Sequence, residues 1–318
     1  MFLTGCTGFF GVWLLESLVY CNQRLGLDLS AAVLSRNPDA FAARMPHIAA
    51  EPCILMHRGD ARTFEFPVGT FDFIIHGAAS SSAIAAQSPD DLFSTIVDGT
   101  RRVLEFSRAR EVKNFLLVSS GAVYGKQPAH MSHMREDYLG SPDWIAPEAA
   151  YAEGKRAAEC MCAAFACESE TRFSIARCFS FTGPHLPLDG HFAIGNFIRD
   201  ALAGRPITVH GDGTPIRSYL YAADLAIWLW TLLLQDRPSS PIPMAVNVGS
   251  GEAVSIADLA REVARELCPV REIQIGCEPV QGAPTSQYVP DITRAASMGL
   301  RQYVGLREAI RRTADWHR

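Results

Sequence analysis

The 318-residue chain lacks any run of about twenty uninterrupted apolar residues, the length that a membrane helix needs. Its longest apolar stretch, Leu225 to Leu234, is about half that length. No basic region precedes the apolar start, and Gly5, Gly8 and Gly11 punctuate it, so no targeting segment is expected. Cations are not in excess either. Formal net charge is −5, and basic residues are scattered, with short pairs such as Arg101-Arg102 and Arg311-Arg312. Neither nucleic acid nor an anionic membrane is therefore an expected partner. Nine cysteines at irregular spacing form no disulfide framework, and Cys160, Cys162 and Cys167 have no paired histidine that would complete a metal site. Buried helix cysteines in a reducing cytoplasm, with no metal, are the expectation. Repeats and low-complexity segments are missing too. A composition with 48% hydrophobic and 20% charged residues argues against disorder.

What is there is an alternation of two periodicities. Short apolar runs of strand length occupy Met1 to Thr4, Ala31 to Leu34, Cys53 to Met56, Phe71 to His76, Asn114 to Ser119 and Arg172 to Cys178. Helical patterns separate them, notably Val12 to Tyr20, Pro89 to Arg110 and Ala149 to Glu168. Continuous apolar strands between helices indicate a doubly wound α/β domain whose parallel sheet is covered on both faces. That domain is expected over residues 1–175. Residues 176–318, richer in glycine and proline, are expected to form a smaller α/β lobe whose loops shape a substrate site, with some crossing of the chain between the two. The first strand is short for the centre of a sheet. A truncated start and a minimal strand both remain open.

Thr4-Gly5-Cys6-Thr7-Gly8-Phe9-Phe10-Gly11 lies between the first strand and the first helix. Glycines there permit a tight turn, and a helix N-terminus offers N–H groups to phosphates. Gly5, Thr7, Gly8, Phe9, Phe10 and Gly11 are thus expected to cradle a dinucleotide. At the tip of the second strand, NAD-preferring sites place an acid for the ribose 2′-hydroxyl; this chain has Ser35-Arg36, and a guanidinium suits a 2′-phosphate. NADP is favoured over NAD on that ground. Asp60 can accept from the adenine amino group or cap the next turn, with Ala61 beside it, and His76-Gly77-Ala78-Ala79 ends the fourth strand with small residues. His76 itself is expected to be a packed strand-end histidine.

Tyr151 and Lys155 stand four apart on a predicted helix and so share a face. A free tyrosine, with a pKa near about 10, is a poor base at neutral pH. A nearby ammonium favours the phenolate, which can take an alcohol proton while hydride leaves the same carbon. Ser119 and Ser120 end the fifth strand, where open α/β sheets bind ligands, and Ser120 is placed to orient a sugar oxygen.

Together these pieces resemble the extended short-chain dehydrogenase/reductase family, in its nucleotide-sugar epimerase/dehydratase branch. They run in family order: Thr4 to Gly11, Asp60, His76 to Ala79, Gly99-Thr100, Ser119 to Gly125, Tyr151/Lys155, Arg177 to Pro184, His210 to Gly213, Arg217 to Ala226 and Asn247 to Gly251. The resemblance implies a Rossmann fold, NAD or NADP as cofactor, and a cytoplasmic homodimer acting on a nucleoside-diphosphate sugar in polysaccharide biosynthesis. It implies Ser120, Tyr151 and Lys155 as the catalytic set, with Ser119, Ala78, Ala79, Tyr151 and Lys155 at the cofactor. It also implies Ser80, Ser120, Tyr151, Ser180, Asn196 and Arg217 at the substrate, Arg217 gripping the diphosphate.

Departures from the family pattern narrow the chemistry. Members that remove water carry an acid pair after the catalytic hydroxyl, where this chain has Gly121 and Ala122, which cannot ionise. A 4,6-dehydratase is disfavoured accordingly. The expected reaction is redox at the sugar C4, by a 4-epimerase or a 4-ketoreductase; a dinucleotide-sensing protein without turnover is the alternative from another class. Ile96 and Ser180 replace asparagines of the pattern, and Gly154 replaces a serine. Tyr288 stands in a region where an arginine often holds the diphosphate; Arg294 is a substitute or a partner of Asp291. Trp228 and Trp230 point to different faces of one helix, so at least one of them is expected to be partly exposed, and core or dimer packing is expected of them over a sugar platform. His185 and His191 flank the substrate loop.

Overall fold

A computed structural model describes residues 1–78, 87–190, 192–235, 242–268, 272–280, 282 and 285–318. The expected contributions of Ala79, Ser80 and His191 lie outside these residues. The chain divides into two compact units. One comprises residues 1–123, 142–177 and 226–246; the other comprises 124–141, 178–225 and 247–318.

The first unit is built on a seven-stranded sheet. Its strands are β1 (Phe2–Thr4), β2 (Ala31–Ser35), β3 (Ile54–Arg58), β4 (Phe73–His76), β5 (Asn114–Ser120), β6 (Arg172–Cys178) and β11 (Met244–Val248). They lie in the order β11-β6-β5-β4-β1-β2-β3. Strand order reverses at β1, which pairs in parallel with β2 on one side and β4 on the other, the switch point where doubly wound sheets bind ligands. Three residues suffice for this central strand because both of its edges are bonded and its side chains are clamped. Phe2 and Leu3 are wholly buried. The Phe2 ring lies 4.6 Å from that of Phe106 and 5.2 Å from that of Phe64, within an aromatic cluster that includes Phe66 and Phe71.

Helices α1 (Phe9–Leu25), α2 (Pro38–Arg44), α3 (Pro46–Ala49), α4 (Pro89–Ala109) and α5 (Ala150–Ala166) complete the first unit, with most of α7 (Ala222–Leu234). Ser88 caps α4 by accepting from the Asp91 N–H at 3.2 Å, and Pro89 starts the helix where no N–H is needed. The last carbonyls of α7 would otherwise lack partners. Asn114 donates to that of Leu233 at 2.7 Å and Ser174 to that of Leu232 at 2.8 Å. Trp228 is buried, whereas Trp230 is half-buried and donates to Ser17 of α1 at 2.8 Å, as their spacing required.

The second unit carries short strand pairs: β7 (Phe181–Thr182) with β10 (Leu220–Tyr221), and β8 (Ile207–Val209) with β13 (Ile273–Ile275). A third small sheet has the order β12 (Val254–Ser255), β9 (Ile216–Arg217), β14 (Gln287–Tyr288). Helices α6 (Ala193–Leu202), α8 (Ile256–Leu267) and α10 (Leu306–His317) bury Phe197, Ile198, Leu259, Val263 and Ile310 as its core, beside a short α9 (Thr293–Ser297). Among the described residues no helix is long and apolar enough to cross a membrane, and no group of side chains could hold a metal. All nine cysteines are free thiols.

Candidate active site

The turn after β1 is fixed by backbone contacts that only glycine tolerates. Gly5 has φ +72°, and a Cβ there would sit 2.2 Å from the Gly77 carbonyl oxygen. At Gly11 a Cβ would lie 2.0 Å from the Cys6 Cα. Gly8 differs: its nearest neighbour would be 3.7 Å away, so glycine here leaves open space at the N-terminus of α1 instead of relieving a clash. A tight turn, a close helix–strand contact and an open helix end fit the pyrophosphate of a dinucleotide.

Strand register brings the adenosine-end residues to the same sheet edge. Thr4 pairs with Leu34, and Ser35 pairs with Arg58. Ser35 is buried, and its Oγ accepts from the Asn37 N–H at 3.2 Å; Arg36 next to it is exposed. Asp60 serves as the turn cap, accepting from the Arg62 N–H at 2.9 Å. Its carboxylate also accepts from Arg62 Nε at 2.9 Å and from Arg62 Nη2 at 3.0 Å, and these bonds hold it below the usual carboxylate range. Four lone-pair sites less three bonds leave one for an adenine amino group. Ala61, buried, packs against Gly99 of α4.

A buried chain of hydrogen bonds ties the glycine loop to α4. The Thr100 hydroxyl donates to the Ile96 carbonyl at 2.6 Å and therefore accepts from His76 Nε2, 3.1 Å away. That leaves His76 Nδ1 to accept from the Thr4 hydroxyl at 2.7 Å, whose oxygen in turn accepts the N–H groups of Gly77 and Ala78 at 3.2 and 3.3 Å. Burial, reinforced by the nearby Lys155 charge, lowers the imidazole to about 3. His76 is thus a neutral brace, the strand-end role expected of it.

Tyr151 and Lys155 occupy the first turns of α5, both buried. Lys155 Nζ donates to the Val118 carbonyl of β5 at 2.9 Å and lies 5.8 Å from the centroid of the Tyr151 ring. Ser120, the last residue of β5, is buried and accepts from the Ala122 N–H at 3.1 Å. Gly121 to Tyr124 form a 3-10 turn, so no carboxylate follows Ser120. Ser119 donates to Glu159 at 2.6 Å, and Arg177 Nη2 donates to the same carboxylate at 2.6 Å, with Nε at 3.1 and 3.2 Å from its two oxygens. Sequence reasoning passed over Glu159, although it lies one helical turn beyond Lys155 on the Tyr151 face.

Two departures from the family pattern meet in space. A Cβ on Gly154 would lie 3.1 to 3.4 Å from Ile96 side-chain atoms. The isoleucine on α4 fills the volume that a larger residue 154 would need, so the changes compensate. In the second unit, Arg217 Nη1 donates to the carbonyls of Ile216 at 2.8 Å and Ser286 at 3.2 Å, which fixes its fork in place. Asn196 accepts from Arg199 at 3.0 Å, and the Ser180 carbonyl accepts from the Leu220 N–H at 3.0 Å. The Tyr288 ring stacks on Phe179 at 4.5 Å. Arg294 Nε lies 4.0 Å from the Glu136 carboxylate, and the Asp291 carboxylate accepts from the Thr293 N–H at 2.8 Å. His185 adopts φ +70° against Trp316.

A family model described as NAD dependent epimerase/dehydratase family matches residues 1–249. UDP-glucuronic acid decarboxylase 1 of Xenopus tropicalis is 32% identical over 232 residues, 73% of this chain and 53% of its own. UDP-glucuronic acid decarboxylase 6 of Arabidopsis thaliana is 29% identical over 312 residues, 97% of this chain and 85% of its own. The chain spans about half the length of the first of these relatives. The solved structure of MoeE5 in complex with UDP-glucose and NAD is similar with a TM-score of 0.78 and 25% identity, covering 99% of this chain and 97% of that one.

Proposed function

This chain belongs to the NAD dependent epimerase/dehydratase family, and on that premise we propose that it is an oxidoreductase acting at C4 of a nucleoside-diphosphate sugar, with NADP(H) as the preferred dinucleotide. The observation that carries this reading is the buried Tyr151–Lys155 pair on one face of α5, with Lys155 tied to the Val118 carbonyl of β5, the strand that Ser120 ends. A nicotinamide dinucleotide, when bound, supplies the hydride acceptor and donor. Lys155 stabilises a phenolate on Tyr151 and holds the nicotinamide ribose hydroxyls. Tyr151 takes the proton of the C4 hydroxyl, or returns it to a C4 ketone in reduction. Ser120 orients that oxygen. Arg217, with Asn196 and Ser180, binds the diphosphate side of the substrate. With Gly121 and Ala122 after Ser120, no side chain there can protonate a leaving hydroxyl, so dehydration is not supported.

Arg36 in place of an acid supports NADP(H), and that preference suits net reduction of a 4-ketone, since an epimerase recycles its dinucleotide. The similarity to UDP-glucuronic acid decarboxylases favours a second reading built on the same first step. Oxidation of a glucuronic acid at C4 makes its carboxylate β to a ketone, and such an acid loses carbon dioxide without a protein acid. Gly121 and Ala122 therefore do not oppose it. Incubation with NADPH and dTDP-4-keto-6-deoxyglucose, and separately with UDP-glucuronic acid and each oxidised dinucleotide, separates these outcomes. Stoichiometric loss of reduced nicotinamide absorbance supports the reductase, and carbon dioxide release supports the second reading. Turnover that survives Tyr151→Phe at the wild-type rate contradicts both.

A further inference from the structure

Arg217 and Tyr288 are cross-strand partners. β14 runs parallel to β9 with Tyr288 in register with Arg217. Successive side chains of a strand alternate in direction, so these two share one face of the small sheet, while Ile216 and Gln287 share the other. Across β12 the residue in register with Arg217 is Val254. A guanidinium has five N–H donors. Arg217 Nη1 donates to the carbonyls of Ile216 and Ser286 at 2.8 and 3.2 Å, and Nη2 to the Ser286 hydroxyl at 3.4 Å. What is left is the Nε hydrogen and the second one on Nη2, which lie parallel along one edge of the group. Such an edge matches two oxygens of one phosphate.

The side chain beside that edge is neutral. The Tyr288 ring stacks on Phe179 with centroids 4.5 Å apart, and its hydroxyl donates to the Cys178 carbonyl at 3.4 Å. With its hydrogen used in that way, the phenol oxygen presents lone pairs, which an anion does not attract. Neighbouring arginines of the second unit face carboxylates: Arg294 lies 4.0 Å from Glu136, and Arg199 on α6 donates to Asn196 at 3.0 Å and to Asp200 at 3.1 Å. A diphosphate carries charge on both of its phosphates, and a guanidinium for each would be the full complement. The paired positions on β9 and β14 supply one.

We propose that Tyr288 sets the charge specificity of the substrate site: Arg217 grips one phosphate of the sugar nucleotide, and the neutral ring at the paired position leaves the other without a guanidinium. This rests on the assignment of Arg217 to the diphosphate proposed above. Calorimetric titration of the full chain in saturating NADH plus NADPH tests it. The ligands are the 5′-diphosphates and 5′-monophosphates of uridine, thymidine, cytidine, guanosine and adenosine, and the proteins are wild type, Tyr288→Arg, Tyr288→Phe and Arg217→Ala. Tyr288→Arg is expected to tighten the best diphosphate by about tenfold or more, the scale of one charge-assisted hydrogen bond. The matching monophosphate should gain less than about threefold, because its single phosphate is already held by Arg217. Tyr288→Phe should change either ligand by less than about threefold, and Arg217→Ala should weaken both by about tenfold or more. No gain in Tyr288→Arg, or equal gains for diphosphate and monophosphate, would overturn the proposal and leave the role of Arg217 standing. A tenfold loss in Tyr288→Phe would make the hydroxyl a phosphate ligand and overturn it as well. Unchanged binding in Arg217→Ala, or no diphosphate bound by wild type, would remove the assignment beneath it.

Discussion

Mild acid should destabilise this protein through His76. The ring is held neutral at about 3 by burial, with the charge of Lys155 adding to the effect. An unfolded histidine titrates near about 6.5. Between those values the unfolded chain binds a proton that the folded chain refuses. Stability therefore falls with falling pH across that window, by about 1.4 kcal/mol per unit. The contribution is intact above the unfolded value and is lost progressively below it. From about pH 6.5 to about pH 5 the loss is roughly 2 kcal/mol. His76→Gln keeps an amide donor and acceptor between Thr100 and Thr4 but cannot titrate. Urea unfolding of both proteins at about pH 7.5 and about pH 5 isolates the difference, because the carboxylates are common to the two. Wild type should lose roughly 2 kcal/mol more than the variant on acidification. Equal losses would refute the buried neutral imidazole.

Other substitutions separate fold from chemistry. Gly11→Ala drives a Cβ into the Cys6 backbone and should abolish soluble folded protein, whereas Gly8→Ala meets nothing closer than 3.7 Å and should fold normally while binding dinucleotide more weakly by calorimetry. Gly154→Ser should destabilise by about 1–3 kcal/mol through overpacking on Ile96, and Ile96→Ala should recover part of that in a double-mutant cycle. Glu159→Gln removes the carboxylate that Ser119 and Arg177 share, so the thermal midpoint should drop by the equivalent of about 1–3 kcal/mol. Tyr151→Phe should lower kcat by about a hundredfold or more while leaving the unfolding midpoint and dinucleotide affinity near wild type.

Six strands of the sheet were legible as short apolar runs, because β2, β5 and β6 are buried along nearly their whole length; the seventh, β11, was not read. The glycine loop was legible for a similar reason: steric demands at Gly5 and Gly11 leave no other residue possible. Two-residue strands such as β9 and β14 carry no periodicity and left no sign in the sequence. Ile96 and Gly154 read as two separate departures because only the packing of α4 on α5 makes them one contact. Glu159 was within reach, since it repeats the four-residue spacing of Tyr151 and Lys155. The pairing of Tyr288 with Arg217 was not. Nothing along the chain sets those two residues side by side.

The central claim is that Tyr151 protonates the C4 oxygen of the sugar as hydride arrives at C4. Reduction of dTDP-4-keto-6-deoxyglucose with NADPH deuterated at the nicotinamide C4, with the product read by proton NMR, tests it directly. Deuterium at the sugar C4 in wild type, accumulating about a hundredfold or more slowly in Tyr151→Phe, is the predicted result. Product whose sugar C4 carries no deuterium, or labelling undiminished by Tyr151→Phe, would contradict it.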